Sequence, residues 1–351
     1  MAELLGISYG DVIVAAALPA ILYYIGLYCM VDLEAVKQGL RGLPSSELPK
    51  VWWALKQGGH LIIPVVILLY QLIIAGTSIQ KAGLYSIASV LVVSWFRKHT
   101  RMGLHRLILA LKEGAMSSLS IAAVCATAGI IVGVVSMTGL GVMFSSGVVA
   151  LAQGNLLLTL LFTAIICMFL GMGVPTTAAY IIAAAVGIPA LLKLGVNPLA
   201  AHLFVFYFAC ISAITPPVCG AVYTACGFSQ TSVWSTGWTA TRLGISAYIV
   251  PFLFVYHPVL LLKGSLMEII QAAITATIGV AAVSMAIIGT SFLGGNIRWN
   301  IFQRILFCGA FIGLITPGTM TDLLGFLALG LGILSHPRTW RSIMKFIWNK
   351  K

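Results

Sequence analysis

Acid is the scarcest chemistry in this sequence. Eight Asp and Glu stand against twenty Lys and Arg in 351 residues. From Gly114 to Met267 there is no Asp or Glu, and only Lys193, Arg242 and Lys263 are basic. Charged residues make up 8% of the chain, against about 25% in soluble domains, which excludes a soluble globular fold. An enzyme buried in a membrane needs titratable or metal-holding groups at its site, and the acid-free stretch argues against one. The seven cysteines (Cys29, Cys125, Cys167, Cys210, Cys219, Cys226, Cys308) form no CxxC and have no His-paired spacing. They indicate neither a zinc site nor a disulfide framework and read as buried small hydrophobes. Segments of about ten residues alternating apolar and polar are also missing, which excludes a membrane β-barrel. Met1–Gly10 has Glu3 and no basic stretch, so the first apolar run reads as an anchor rather than a cleaved leader.

What is abundant is apolar surface: 60% of residues are hydrophobic and mean hydropathy is +1.06. Charge-free runs at Val12–Val31, Leu61–Gln80, Leu243–Leu262 and Ile269–Ile297 reach the ~20 residues that a bilayer-crossing helix requires. The fold class is therefore an all-α, polytopic integral membrane bundle in contact with lipid. The net charge of +12 falls between apolar spans and at the C-terminus, the pattern of cytoplasmic loops rather than of nucleic-acid binding. The loop with Arg97, Lys98, Arg101, Arg106 and Lys112 is the firmest cytoplasmic segment, and Asp32–Gly59, with Trp52 and Trp53, suits the same interface. The tail with Arg338, Arg341, Lys345, Lys350 and Lys351 also lies inside, and the N-terminus outside. Leu243–Leu262 and Ile269–Thr290 are read as later spans, with Ile305–Ile315 and Leu323–Leu334 as two further helices. The chain divides into scaffold-type helices at 1–113, a transport-type region at 114–241 and C-terminal helices at 242–351.

Two breaks organise the middle region. Leu170–Thr177 (LGMGVPTT) separates the apolar runs Leu156–Phe169 and Ala178–Leu192, which predicts a helical hairpin over 156–192 with its tip inside the membrane. Glycine permits the left-handed backbone that ends a helix, and proline is tolerated where the next one starts. Ile214–Val218 (ITPPV) fractures a second helix over 198–228. Irregular backbone at membrane depth persists only where protein buries it or a wet cavity receives it, and secondary transporters build ion and substrate sites in this way. Carbonyls around Gly171 and Gly173, the hydroxyls of Thr176, Thr177, Ser212 and Thr215, and the carbonyls freed by Pro216 and Pro217 suit a hard cation. A proton-driven carrier usually relies on a membrane carboxylate, so the missing acid tilts the coupling ion to Na⁺. No other cofactor is indicated. The helix starts at Pro175–Thr176 and after Pro217 suit the carboxylate of an anionic substrate. Arg242 is a candidate substrate partner, with a snorkelling cytoplasmic anchor as the plainer alternative. His202 and His257 read as packed or interfacial, Ser145 and Ser146 as either closing over the tip or ending a helix, and Ile315–Gly318 (ITPG) echoes the second break.

Three strings, GMGVPTTAAYII at Gly171–Ile182, NPLAAHLFVFYF at Asn197–Phe208 and ITPPV at Ile214–Val218, occur with Arg242-Leu243-Gly244, Val250-Pro251-Phe252 and the Leu33–Pro49 stretch. Together they resemble the fused permease of tripartite ATP-independent periplasmic (TRAP) transporters over nearly the whole chain. The resemblance implies Na⁺-driven uptake of small, dicarboxylate-like organic acid anions across a bacterial inner membrane. It also implies a periplasmic binding protein that delivers substrate, and an elevator-type transport domain held by a scaffold. That transport domain is an inverted pair in which each half supplies one hairpin and one broken helix; this chain carries one such half. The resemblance thus implies a C-terminal part of the large subunit, completed by an N-terminal permease half or a small membrane subunit. Without that complement the expectation is a scaffold that does not transport.

Overall fold

In hydrocarbon every backbone N–H and C=O must find a partner within its own segment, which leaves uninterrupted apolar sequence no option but the helix. The computed structural model describes residues 1–336 apart from 41, 45–46, 49, 98–99, 293–297 and 317. Arg41, Lys98, Pro317 and the basic residues of the tail lie outside the described residues. The chain is 81% helical, with no strand among the described residues. Six helical stretches among them are long and apolar enough to cross a membrane. The chain forms two compact units, residues 1–14 with 42–131, and 15–41 with 132–351.

The first unit contains α1 (Ala2–Leu5), the start of α2 (Tyr9–Gln38), α3 (Val51–Gly58), α4 (Ile63–Leu69), α5 (Ile79–Ser94) and most of α6 (Leu104–Met137). A 3₁₀ turn at Gly59–Ile62 joins α3 to α4, and a π-helical stretch at Tyr70–Ile74 extends α4. Val51–Ile74 therefore forms one candidate crossing. α5 starts at a Ser78 cap, whose hydroxyl accepts the Lys81 N–H, and is tied to α4 by the Ser86 hydroxyl donating to the Pro64 carbonyl at 3.0 Å. The Arg97 guanidinium donates to the Lys56 carbonyl, so the chain just after α5 is tied to the last turn of α3.

The second unit begins with the rest of α2 and continues with α7 (Leu140–Leu151), α8 (Leu156–Gly171), α9 (Thr176–Lys193), α10 (Pro198–Ile211), α11 (Gly220–Ser229), α12 (Val233–Leu243), α13 (Ile245–Tyr256), α14 (Leu266–Ile288), α15 (Ile301–Ile315) and α16 (Thr319–Leu334). Its core is aliphatic and aromatic: Met30, Leu33, Met285, Ile288, Trp299 and Phe307 form one buried cluster that joins α2, α14 and α15. Phe204 and Phe208 of α10 pack their rings against Phe252 of α13. Two serines inside this core bond to carbonyls of neighbouring segments, as a low-dielectric interior favours. Ser145 of α7 donates to the carbonyls of Gly141 and Val186, and Ser246 of α13 donates to that of Tyr23.

The expected elements are present, with three differences. The first span is longer than expected: α2 has 30 residues, or about 45 Å at ~1.5 Å per residue, and its last turns carry Asp32, Glu34 and Lys37 beyond the ~30 Å of hydrocarbon. Arg106 and Lys112 belong to the opening turns of α6 rather than to a loop. The expected single span Leu243–Leu262 starts after Gly244 and ends at Tyr256, with a 3₁₀ turn at Pro258–Leu261, while the preceding connection forms the helix α12. The two terminal helices fall as expected, the first ending at Ile315 and the second starting at Thr319.

Candidate functional site

The hairpin forms as the glycines and proline dictate. α8 is capped by Asn155, whose side chain accepts the Leu158 N–H, and stops at Gly171. Gly173 has φ +75°, a left-handed conformation that favours glycine, and it turns the chain into Pro175 and α9. The first N–H of α9 that bonds back is that of Ala179, to the Pro175 carbonyl at 2.9 Å. The N–H groups of Thr176, Thr177 and Ala178 therefore point out of the helix start without a partner in the helix. Pro175, Thr176 and Thr177 are all exposed.

α10 is capped by Asn197, whose side chain accepts the Leu199 N–H. It tightens into a 3₁₀ turn at Ser212–Ile214 and then leaves helical geometry, with Thr215 at φ −99°, ψ 123°. Thr215, Pro216, Pro217 and Val218 form the irregular link to α11, and the Pro216–Pro217 bond is cis. The Val222 N–H is the first in α11 to bond back, to the Cys219 carbonyl.

Tip and break touch. A Cβ on Gly171 would stand 2.7 Å from Ser212 Oγ and 2.8 Å from the Ala209 carbonyl oxygen, so only a residue without a side chain lets the end of α8 lie this close to α10. A Cβ on Gly173 would sit 3.4 Å from Val218. Gly171, Gly173, Ser212 and Val218 thus fall in one neighbourhood, with Thr215 and Pro216 on the same link.

The hydroxyls of the break are set in a definite state. Ser212 Oγ is buried and donates its proton to the Ala209 carbonyl at 2.6 Å. Thr215 Oγ1 donates to the Ile211 carbonyl at 2.8 Å and stands 2.6 Å from Tyr248 Oη. A hydroxyl has one proton; with Thr215's given to the carbonyl, the Tyr248 phenol must be the donor of the second bond. Both Ser212 and Thr215 therefore keep lone pairs for a cation, and these neutral oxygens fit a hard ion such as Na⁺. Tyr248, on α13, carries no local sequence signal and was missed by sequence reasoning; only the fold brings it to Thr215. Thr241 of α12 also reaches the break, donating to the Ile214 carbonyl at 3.3 Å.

Arg242 is placed differently from the rest. At the end of α12 its Nη2 pairs with Glu34 of α2 at 3.0 Å, so its charge is partly matched by an acid of the same unit. The arginine side chain is 41% exposed and the glutamate 14%. His202 is a packed histidine: its Nδ1 stands 2.6 Å from Tyr180 Oη, joining α9 to α10. Ser146 receives a hydrogen bond from Lys193 Nζ at 2.7 Å, and Ser145 bonds to α9 at Val186, so this pair fastens α7 along the hairpin's return helix.

A family model described as tripartite ATP-independent periplasmic transporter, DctM component, matches residues 1–269. The chain belongs to this family. Comparisons with curated proteins and with solved structures found no match. The matched span of this TRAP permease covers the hairpin, the broken helix and α13, and ends in the first turn of α14. As a TRAP-type component it is a transport protein of the membrane, in a family whose members work with a periplasmic binding protein and a small membrane subunit.

Proposed function

We propose that this permease binds Na⁺ where the hairpin tip meets the broken helix, and uses it to drive inward movement of a small organic acid anion of dicarboxylate type. The ion is held by Ser212 and Thr215 oxygens, by carbonyls at Gly171, Gly173 and the link before Pro216, and by Thr176 or Thr177 at the exposed tip. The substrate carboxylate is received at the helix start after Pro175 and beside Pro217, where unpaired N–H groups and the positive ends of α9 and α11 favour an anion. Arg242 would meet the substrate carboxylate only by sharing its guanidinium with Glu34, which already pairs with it at 3.0 Å. A periplasmic binding protein delivers the substrate, and an N-terminal permease half or small subunit completes the site. The location is a bacterial inner membrane, with the N-terminus outside and the C-terminus in the cytoplasm.

The approach of Gly171 to Ser212 carries this reading. It brings two interrupted backbones together with hydroxyl lone pairs left over, an arrangement that a simple proline kink would not require. One reconstitution with two readouts tests it. In vesicles containing the assembled transporter, an inward Na⁺ gradient accelerates organic acid uptake and a K⁺ gradient does not. In the same vesicles an impermeant thiol reagent labels a cysteine at Lys193 from the periplasmic side and leaves one at Arg101 untouched. Equal uptake with either gradient removes Na⁺ coupling, and the reverse labelling pattern inverts the topology.

A further inference from the structure

A cavity of about 330 Å³ lies away from the hairpin, between the turn after α13, the start of α14 and the bend between α15 and α16. Its size is within the range of small-molecule sites, about 300–1,000 Å³. The depth is apolar, formed by Leu260, Ala276 and Leu314, all buried. His257, Glu268, Gln271 and Asp322 add polar groups to its wall. Two carboxylates thus meet one cavity in a chain with eight acids, and no Lys or Arg is among its described lining residues.

Each acid has a structural task. Glu268 closes a capping box: its Oε2 accepts the Ser265 N–H at 2.9 Å while Ser265 Oγ accepts the Glu268 N–H. Asp322 lies in the first turn of α16, where negative charge is favoured, and its Oδ2 accepts from the Gln271 amide at 2.8 Å. These tasks use one oxygen of each carboxylate. Neither task involves the apolar residues Leu260, Ala276 and Leu314 that lie between the two helix starts.

We propose that this cavity binds a primary alkylammonium ion, with the ammonium held by the free oxygens of Glu268 and Asp322 and a short alkyl chain laid against Leu260 and Leu314. A primary ammonium has three donors and no acceptor, which matches a wall of carboxylates. An anion would meet uncompensated negative charge, and a neutral alcohol would gain only the apolar contact. The ammonium is supplied either by a free amine or by the head group of phosphatidylethanolamine.

The test uses hexylammonium, hexanoate and hexanol, titrated calorimetrically into the purified permease in phosphatidylglycerol nanodiscs. Hexylammonium binds saturably, and hexanoate does not. The double variant Glu268→Gln and Asp322→Asn retains both structural hydrogen bonds, since Gln completes a capping box as Glu does and the Asn carbonyl still accepts from Gln271. It loses only charge, so it keeps the parent's thermal midpoint while its hexylammonium affinity falls at least about tenfold, as expected for the loss of charge-assisted bonds. Ala272→Phe, which fills the cavity from the wall, removes binding with both carboxylates intact. Nanodiscs containing phosphatidylethanolamine weaken hexylammonium binding if the lipid head is the occupant and leave it unchanged if a free amine is; either result agrees with ammonium recognition. Unchanged affinity in the double variant, equal binding of hexanoate, or no saturable binding by the parent overturns the proposal.

Discussion

Thr215→Val lowers Na⁺-stimulated uptake by about tenfold or more while the protein still reaches the membrane, as expected when an interaction of the working site is removed. Valine has nearly the shape of threonine, so the break keeps its packing and loses one oxygen. The change also removes one partner of the half-buried Tyr248 hydroxyl, which donates to Thr215 Oγ1 across 2.6 Å, and leaves it Thr241. A single neutral hydrogen bond is worth about 0.5–1.5 kcal/mol, so a modest loss of thermal stability accompanies the loss of uptake. Tyr248→Phe separates the two effects. Added to Thr215→Val, it leaves no phenol facing the valine and recovers stability, but uptake remains lost because the lone pair at position 215 is still missing. If uptake recovers along with stability, Thr215 serves only to hold Tyr248 and has no part in binding the ion.

Gly171→Ala has the second large effect. The added methyl carbon lies 2.7 Å from Ser212 Oγ and 2.8 Å from the Ala209 carbonyl oxygen, and the second of these is backbone that cannot rotate away. The hairpin tip must lift from the break. Overpacking of this kind costs about 1–3 kcal/mol in a well-packed core, and here the displacement falls on the proposed ligand oxygens. Transport is abolished and the thermal midpoint falls. As a control for helix propensity, Gly147→Ala on α7, where an added Cβ meets nothing within 4 Å, leaves transport unchanged and raises the thermal midpoint slightly, since alanine favours the helix over glycine. Uptake by the Gly171 variant at the parental rate would mean that the contact between tip and break is not needed for transport.

The hairpin and the break were legible because glycine and proline act locally. Gly171, Gly173 and Pro175 end one helix and start the next whatever surrounds them, and Pro216-Pro217 interrupts a helix by removing two consecutive N–H donors. The helices α15 and α16 were legible for the same reason, since the Thr-Pro-Gly sequence after Ile315 separates two apolar runs. α12 was not legible. Val233–Leu243 is poor in long aliphatic side chains and ends in an arginine, so it reads as a cytoplasmic connection; it becomes a helix through the packing of Val233 and Ala240 on the buried cluster of Cys219, Val222 and Cys226. The roles of Tyr248 and Glu34 were likewise hidden, because each depends on a partner far along the chain, Thr215 for one and Arg242 for the other. The length of α2 beyond Val31 was missed because its polar final turns look like loop, although they belong to a helix that runs on past the hydrocarbon.

The central claim is that the two interrupted helices meet around Na⁺, and direct binding of radioactive sodium to the purified transporter complex tests it without requiring transport. The account predicts saturable Na⁺ binding by the parent that excess K⁺ does not displace, and its loss in Thr215→Val with Tyr248→Phe even though that protein is stable. Saturable sodium binding of equal affinity in the parent and the double variant, or none in the parent, would contradict it.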